Sequence, residues 1–377
     1  MNRITAHQWM LASSLLLLGP ALRLLPRLAA EDAGRAVWLG ALPALPLLLF
    51  YARFLSRFWA SRPEGGGLGE TTLRLLGPRR GRAALFFYSA WLLFYAGFTL
   101  RSGADRLVTT VYPQSAPAVF VLSMGLCCLA AALGSARSLA RTGALLYPFV
   151  MGILLLLLLS ALKGTASRNL FPVTLLDLPA VTRASLPVLD VLGLGLFLPL
   201  FFLGFVETRE QELLPRYTRW LLGESLLLTL LMLVVIGCFG AELVARLSQP
   251  FFTLVRNLVF FRSLERIEAL VVCCWIFPDF LLVSLCLYAA QFCLRLALGR
   301  RPQNDRGQRL DGGQLRWLIP FCGLAAILVG LLLAPDVLSL RRLSERVIPG
   351  INLVLSFLTV PLLSLVEHWR RRRKAAP

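Results

Sequence analysis

The stretch SLPVLDVLGLGLFLPLFFLGFV, residues 185–206, decides the fold. It is apolar over about the 20 residues that an α-helix needs to cross roughly 30 Å of hydrocarbon. Its only charged residue is Asp190, near its start. Yet Gly193, Gly195, Pro199 and Gly204 lie in its middle, where lipid cannot satisfy freed backbone groups and a spanning helix is normally unbroken. A second stretch of this kind lies at 6–28, where Gly19-Pro20 follows Ser13-Ser14.

Working outward, further apolar blocks fall at 36–58, 84–111, 116–134, 142–162, 218–241, 264–295, 316–334 and 350–369. The expectation is an all-α integral membrane protein of about ten spans, formed as one transmembrane domain with no soluble domain. The two interrupted segments are the first and the sixth, so they hold matching positions in two halves of five, about 6–162 and 185–369. Matching interrupted helices point to a transporter-type central site, with half-helix ends aimed at a ligand. The plainer reading is that Gly and Pro are common in membrane helices.

Composition agrees. Of 377 residues, 57% are hydrophobic and 16% charged, against about 25% charged in soluble domains. The net charge of +19 forms no compact basic domain, which argues against nucleic acid. The larger share of the basic residues falls on alternate connections: Arg3, Arg53–Arg82, Arg137 and Arg141, Arg209–Arg219, Arg295–Arg316, and the basic tail at 370–377. That bias predicts a multi-pass cell-membrane protein with both termini cytoplasmic. The N-terminal block, broken by Pro20 and Arg23 and without a small-x-small cleavage site, reads as a first span rather than a signal peptide. The stretches 63–67 and 300–313 read as flexible loops. The connection 242–263, with Pro250-Phe251-Phe252, reads as a short helix on or in the membrane.

Neither a metal site nor an enzyme is expected. All eight cysteines lie in apolar blocks without ligand spacing, and His7 and His368 are at opposite ends. There is no GxSxG, HExxH or P-loop, so no catalytic residue and no cofactor is assigned.

Ionisable residues at membrane depth are functional candidates. Arg101 and Asp105 are four apart on the third span and can neutralise each other, with Arg106 beside them; an ion pair near the interface and a ligand role both remain open. Asp190 opens the sixth span. Glu224, early in the seventh, is expected to snorkel to the inner surface. Asp279, one turn after Trp275 and just after Pro278, is the deepest acid, and Ser284 lies further along. The candidate ligand-binding residues are Ser14, Gly19, Pro20, Gly193, Gly195, Trp275, Asp279 and Ser284.

The ordered set of short motifs resembles the spore-germination permease family, the B-subunits of germinant receptors, within the amino acid–polyamine–organocation (LeuT-like) transporter superfamily. The motifs are Ile4-Thr5-Ala6-His7-Gln8, Ala33-Gly34-Arg35 with Trp38-Leu39, Ala140-Arg141-Thr142-Gly143 with Tyr147-Pro148, and Asn169-Leu170-Phe171-Pro172-Val173. The most specific runs from Leu254-Val255-Arg256 through Leu264-Glu265-Arg266-Ile267-Glu268-Ala269-Leu270 to Trp275. The resemblance implies two inverted five-helix repeats with unwound first and sixth helices. It implies a receptor in the inner spore membrane, with a membrane A-subunit and a lipoprotein C-subunit as partners and a small germinant, often an amino acid, as ligand. The chain departs from the pattern in two places. The acid near the start of the sixth helix is Asp190, and Leu282 stands where many members carry a Lys after the eighth-helix Trp. A proton-coupled amino acid permease is the alternative, and a structural subunit without a ligand is a third class.

Overall fold

Helix boundaries follow the turn chemistry closely. The computed structural model describes residues 4–60, 66–207, 210–257, 267–299, 317–333 and 337–375. Thr5 caps the first helix, α1 (Ala6–Ala33), in a reciprocal box with Gln8. Gly34, at φ +54°, ends it. After a 3₁₀ turn comes α2 (Ala41–Ala60). Then follow α3 (Leu68–Thr110), α4 (Pro117–Ala132), α5 (Ala136–Ala161), α6 (Leu178–Phe197) and α7 (Glu210–Phe239). Two short helices, α8 (Ala241–Arg246) and α9 (Pro250–Arg256), precede α10 (Ile267–Ala297). The chain ends with α11 (Leu318–Leu332), α12 (Val337–Arg342), a π turn at Leu343–Val347, and α13 (Ile348–Ala375).

Eight of these helices are long and apolar enough to cross a membrane. α4 and α11, at the places of the fourth and ninth expected spans, have 16 and 15 residues. At 1.5 Å per residue each rises less than about 30 Å of hydrocarbon. A belt of outward-facing apolar side chains, among them Phe50, Leu145, Leu226 and Leu332, is the surface that lipid covers.

Three features depart from the expectation. The third helix starts at Leu68 instead of 84, with a kink at which Gly77 (φ +80°) closes a first segment and Pro78 opens the next. α1 continues through Gly19-Pro20 where an unwound segment was expected. A proline frees only the carbonyl four residues back, here Leu16, and packing on all sides holds the rest of the helix. α6 does change at the expected place, becoming a 3₁₀ helix over Leu198–Phe205. Pro199 has no N–H to offer Gly195. The connection after α7 forms two short helices where one was expected. Residues 258–266, which carry part of the most specific motif and the first residues of the expected eighth span, lie outside the described residues. So does the loop 300–313.

α1 and α6 are the most enclosed helices. α1 packs against α5, α6 and α10, and α10 packs along α3. Residues 4–5 pair in parallel with 206–207, tying the N-terminus to the end of α6. Arg370 Nη1 donates to the Arg74 carbonyl at 3.2 Å, and a Cβ on Gly299 would lie 3.1 Å from Arg82. The start of α3 and the ends of α10 and α13 therefore share one face, as the arginine bias requires. Cysteines placed at Arg74 and after Trp369, in a chain without its native cysteines, are expected to react with an impermeant maleimide only when the inner face is opened. Labelling from outside intact cells would reverse the orientation.

A buried charge cluster between α1, α3 and α10

Three helices each present two residues one turn apart to a common point: Gly19 and Arg23 on α1, Ser102 and Arg106 on α3, Trp275 and Asp279 on α10. The i, i+4 spacing aims each pair along one face. The Arg106 guanidinium and the Asp279 carboxylate form an ion pair, and both residues are 1% exposed. The Arg106 carbon sits 4.7 Å from the Trp275 ring centre. That ring stacks in turn on Phe252 of α9, at 6.2 Å and 10°. Cation–π contact is strongest in such a dry setting.

Gly19 is the reason α1 comes so close. A Cβ there would collide with Asp279 Oδ1, and a Cβ on Gly103 would stand 3.5 Å from Asp279 Oδ2. Arg23 donates to Ser102 Oγ at 3.1 Å and lies 4.9 Å over the Phe98 ring. Arg23 Nε, Arg106 Nε and Nη1, and Asp279 Oδ1 are buried without a hydrogen-bond partner among the described residues. The cluster thus holds spare guanidinium donors and a spare carboxylate acceptor side by side. A void of about 10 Å³ beside Arg23 and Trp275 is closed over by Phe251, Phe252 and Gln249.

The structure brings together Gly19, Trp275 and Asp279 of the expected site residues, with Pro20 buried next along α1. Gly193 and Gly195 lie elsewhere. A Cβ on Gly193 would press on Phe357 at 2.9 Å, and one on Gly195 on Leu17 at 2.6 Å. They serve close packing of α6 on α13 and α1. Ser284 donates to the Phe280 carbonyl at 2.7 Å and toward Cys128 of α4 at 3.4 Å. Ser14 accepts from Trp220 Nε1 of α7 at 2.8 Å and lines a separate cavity. Asp190 is buried near Asn352, with Oδ1 unpaired among the described residues.

One expectation needs correction. Glu224 does not snorkel: it is 5% exposed and lines that separate cavity. Asp279 has a cationic partner, supplied by α3 rather than by its own helix. Arg106 was grouped with Arg101 and Asp105 near the outer interface, but its side chain turns inward. Arg23 was missed altogether. The signal was present, since a charge at membrane depth four residues after Gly19 meets the same criterion as Asp279.

The model of a family described as spore germination protein matches residues 3–334. The chain belongs to that family. None of the curated proteins matches it. Among solved structures, a substrate-bound, outward-open Na⁺-coupled sialic acid symporter is similar over 96% of this chain and 90% of its own, with a TM-score of 0.59 and 12% identity. MhsT in complex with L-phenylalanine is similar over 96% of this chain and 99% of its own, with a TM-score of 0.54 and 15% identity. This spore germination protein therefore has the LeuT-type transporter fold and is a multi-pass membrane protein.

Proposed function

We propose that this chain is the ligand-holding B-subunit of a germinant receptor in the inner membrane of the spore, with both termini cytoplasmic. It senses a small nutrient such as an amino acid and works with a membrane A-subunit and a lipoprotein C-subunit. The two halves, about 6–162 and 185–369, are inverted repeats around the site.

The observation that carries the reading is the set of unpaired polar atoms around Asp279. A zwitterion matches it: the carboxylate accepts from Arg23 and Arg106, and the ammonium donates to Asp279 Oδ1. Trp275 offers a flat apolar face to the ligand's side chain. The small void means that ligand entry requires α9 to lift Phe251 and Phe252 from the cluster. MhsT is described in complex with an amino acid, L-phenylalanine, which supports the ligand class.

The cluster also favours a sensor over a proton-coupled permease. Asp279 is already engaged by Arg106, so it is poorly placed to load and release a coupling proton. Uptake in proteoliposomes distinguishes the two. A sensor is expected to bind the radiolabelled germinant amino acid with no accumulation under an imposed pH gradient. Concentrative, pH-driven uptake would overturn the sensor reading.

A further inference from the structure

A cavity of about 640 Å³ lies between α1, α5 and α7, apart from the charge cluster. Three parallel stretches form it: His7 to Ser14, Tyr147 to Leu155, and Arg216 to Leu230. Its walls are mostly apolar, with Met10, Leu11, Met151, Leu155, Leu227 and Leu230. The volume suits a small organic molecule rather than an ion. Gly223 stands on its wall with nothing within 4 Å of where a Cβ would be. Leu226 beside it is 71% exposed on the lipid-facing surface, so the cavity opens sideways to the bilayer.

Midway along sits Glu224, 95% buried because only 5% of it is exposed. The ion pairs of the described residues do not include it. Trp220 and Tyr147 flank it. Ser14, whose oxygen accepts from Trp220, lines the same cleft. A carboxylate and two aromatic rings at the middle of an apolar cleft are the elements that recognise an organic ammonium. Among the lining residues His7 and Arg219 are exposed and Arg216 is half-buried.

We propose that this cleft is a second ligand site, which takes a lipophilic primary amine from the bilayer with its ammonium on Glu224. An anionic amphiphile is the opposite occupant, with its head on Arg216 and Arg219 and its tail beside Glu224. Acid–base complementarity favours the amine, because Glu224 is the buried acid, which gains its charge by giving its proton to the amine, and the arginines are the more exposed lining residues.

The test is calorimetric titration of the full-length chain in detergent with n-octylamine, n-octanol and octanoate. Octylamine is expected to bind more tightly than octanol. Glu224→Gln is expected to weaken octylamine tenfold or more and to leave octanol unchanged. Gly223→Leu, which grows into open space, is expected to weaken both by filling the cleft. Tighter binding of octanoate than of octylamine would overturn the proposal, as would octylamine affinity unchanged in Glu224→Gln. Should Glu224→Gln fail to fold, Gly223→Leu decides: octylamine affinity unchanged in that variant places the amine elsewhere.

Discussion

Asp279→Asn is expected to lower the unfolding stability of the chain by about 3–5 kcal/mol, because it leaves Arg106 buried without its counter-charge. The substitution keeps shape and removes only charge, so packing is nearly conserved. Arg106→Gln should cost a similar amount by stranding the carboxylate. Together they should cost much less than the two single losses added, since neither charge is then uncompensated. Chemical unfolding of the purified chain in detergent, read as a double-mutant cycle, measures this. Additive losses would mean that the two side chains do not act as a pair. In a folded receptor, Asp279→Asn should also raise the germinant concentration needed by roughly tenfold or more, the worth of one charge-assisted hydrogen bond.

The second large effect falls on Gly19. Any side chain there meets the Asp279 carboxylate, so Gly19→Leu must push Asp279 off Arg106 or α1 off α10. Over-packing of this kind costs about 1–3 kcal/mol or more. Loss of the germinant response is expected, with the chain still present in the membrane fraction. Gly195→Leu is a useful contrast. Its side chain would press on Leu17 and so disturb α1–α6 packing without touching the charges. Immunoblots of spore membranes and germination curves separate the two. Normal curves for Gly19→Leu at normal protein level would remove the ligand from this place.

Membrane helices announce themselves through length and apolarity, and several spans were legible to within a few residues. The spans at 142–162 and 218–241 lie inside α5 and α7 or end within a few residues of them. The arginine bias likewise anticipated which ends share a face, because it records insertion chemistry rather than packing. Breakers were less informative. Gly19-Pro20 and Gly193-Leu194-Gly195 look alike in a sequence, but both lie within continuous α-helix, and only Pro199 coincides with a change of helix type. A helix glycine opens a path for whatever faces it. For Gly19 that is a carboxylate, and for Gly195 it is a leucine, which no local pattern specifies.

The site itself was half legible. Trp275 and Asp279 were visible because an acid at membrane depth demands an explanation. Their partner was not, since Arg106 is far away in sequence and joins them only through the packing of α3 on α10. Glu224 was misread for a related reason. Its position one or two turns into a span fits snorkelling, and only the three-helix cleft around Ser14 and Trp220 gives it an interior place.

As proposed, this chain holds the nutrient that starts germination. The direct measurement is the nutrient dose–response of spores lacking the chain, beside spores in which it is restored. Deletion is expected to abolish the response to at least one amino acid; the restored chain should return it, and the Asp279→Asn chain only at roughly tenfold or higher concentration. Deletion spores that answer every amino acid with unchanged dose–response curves would contradict it.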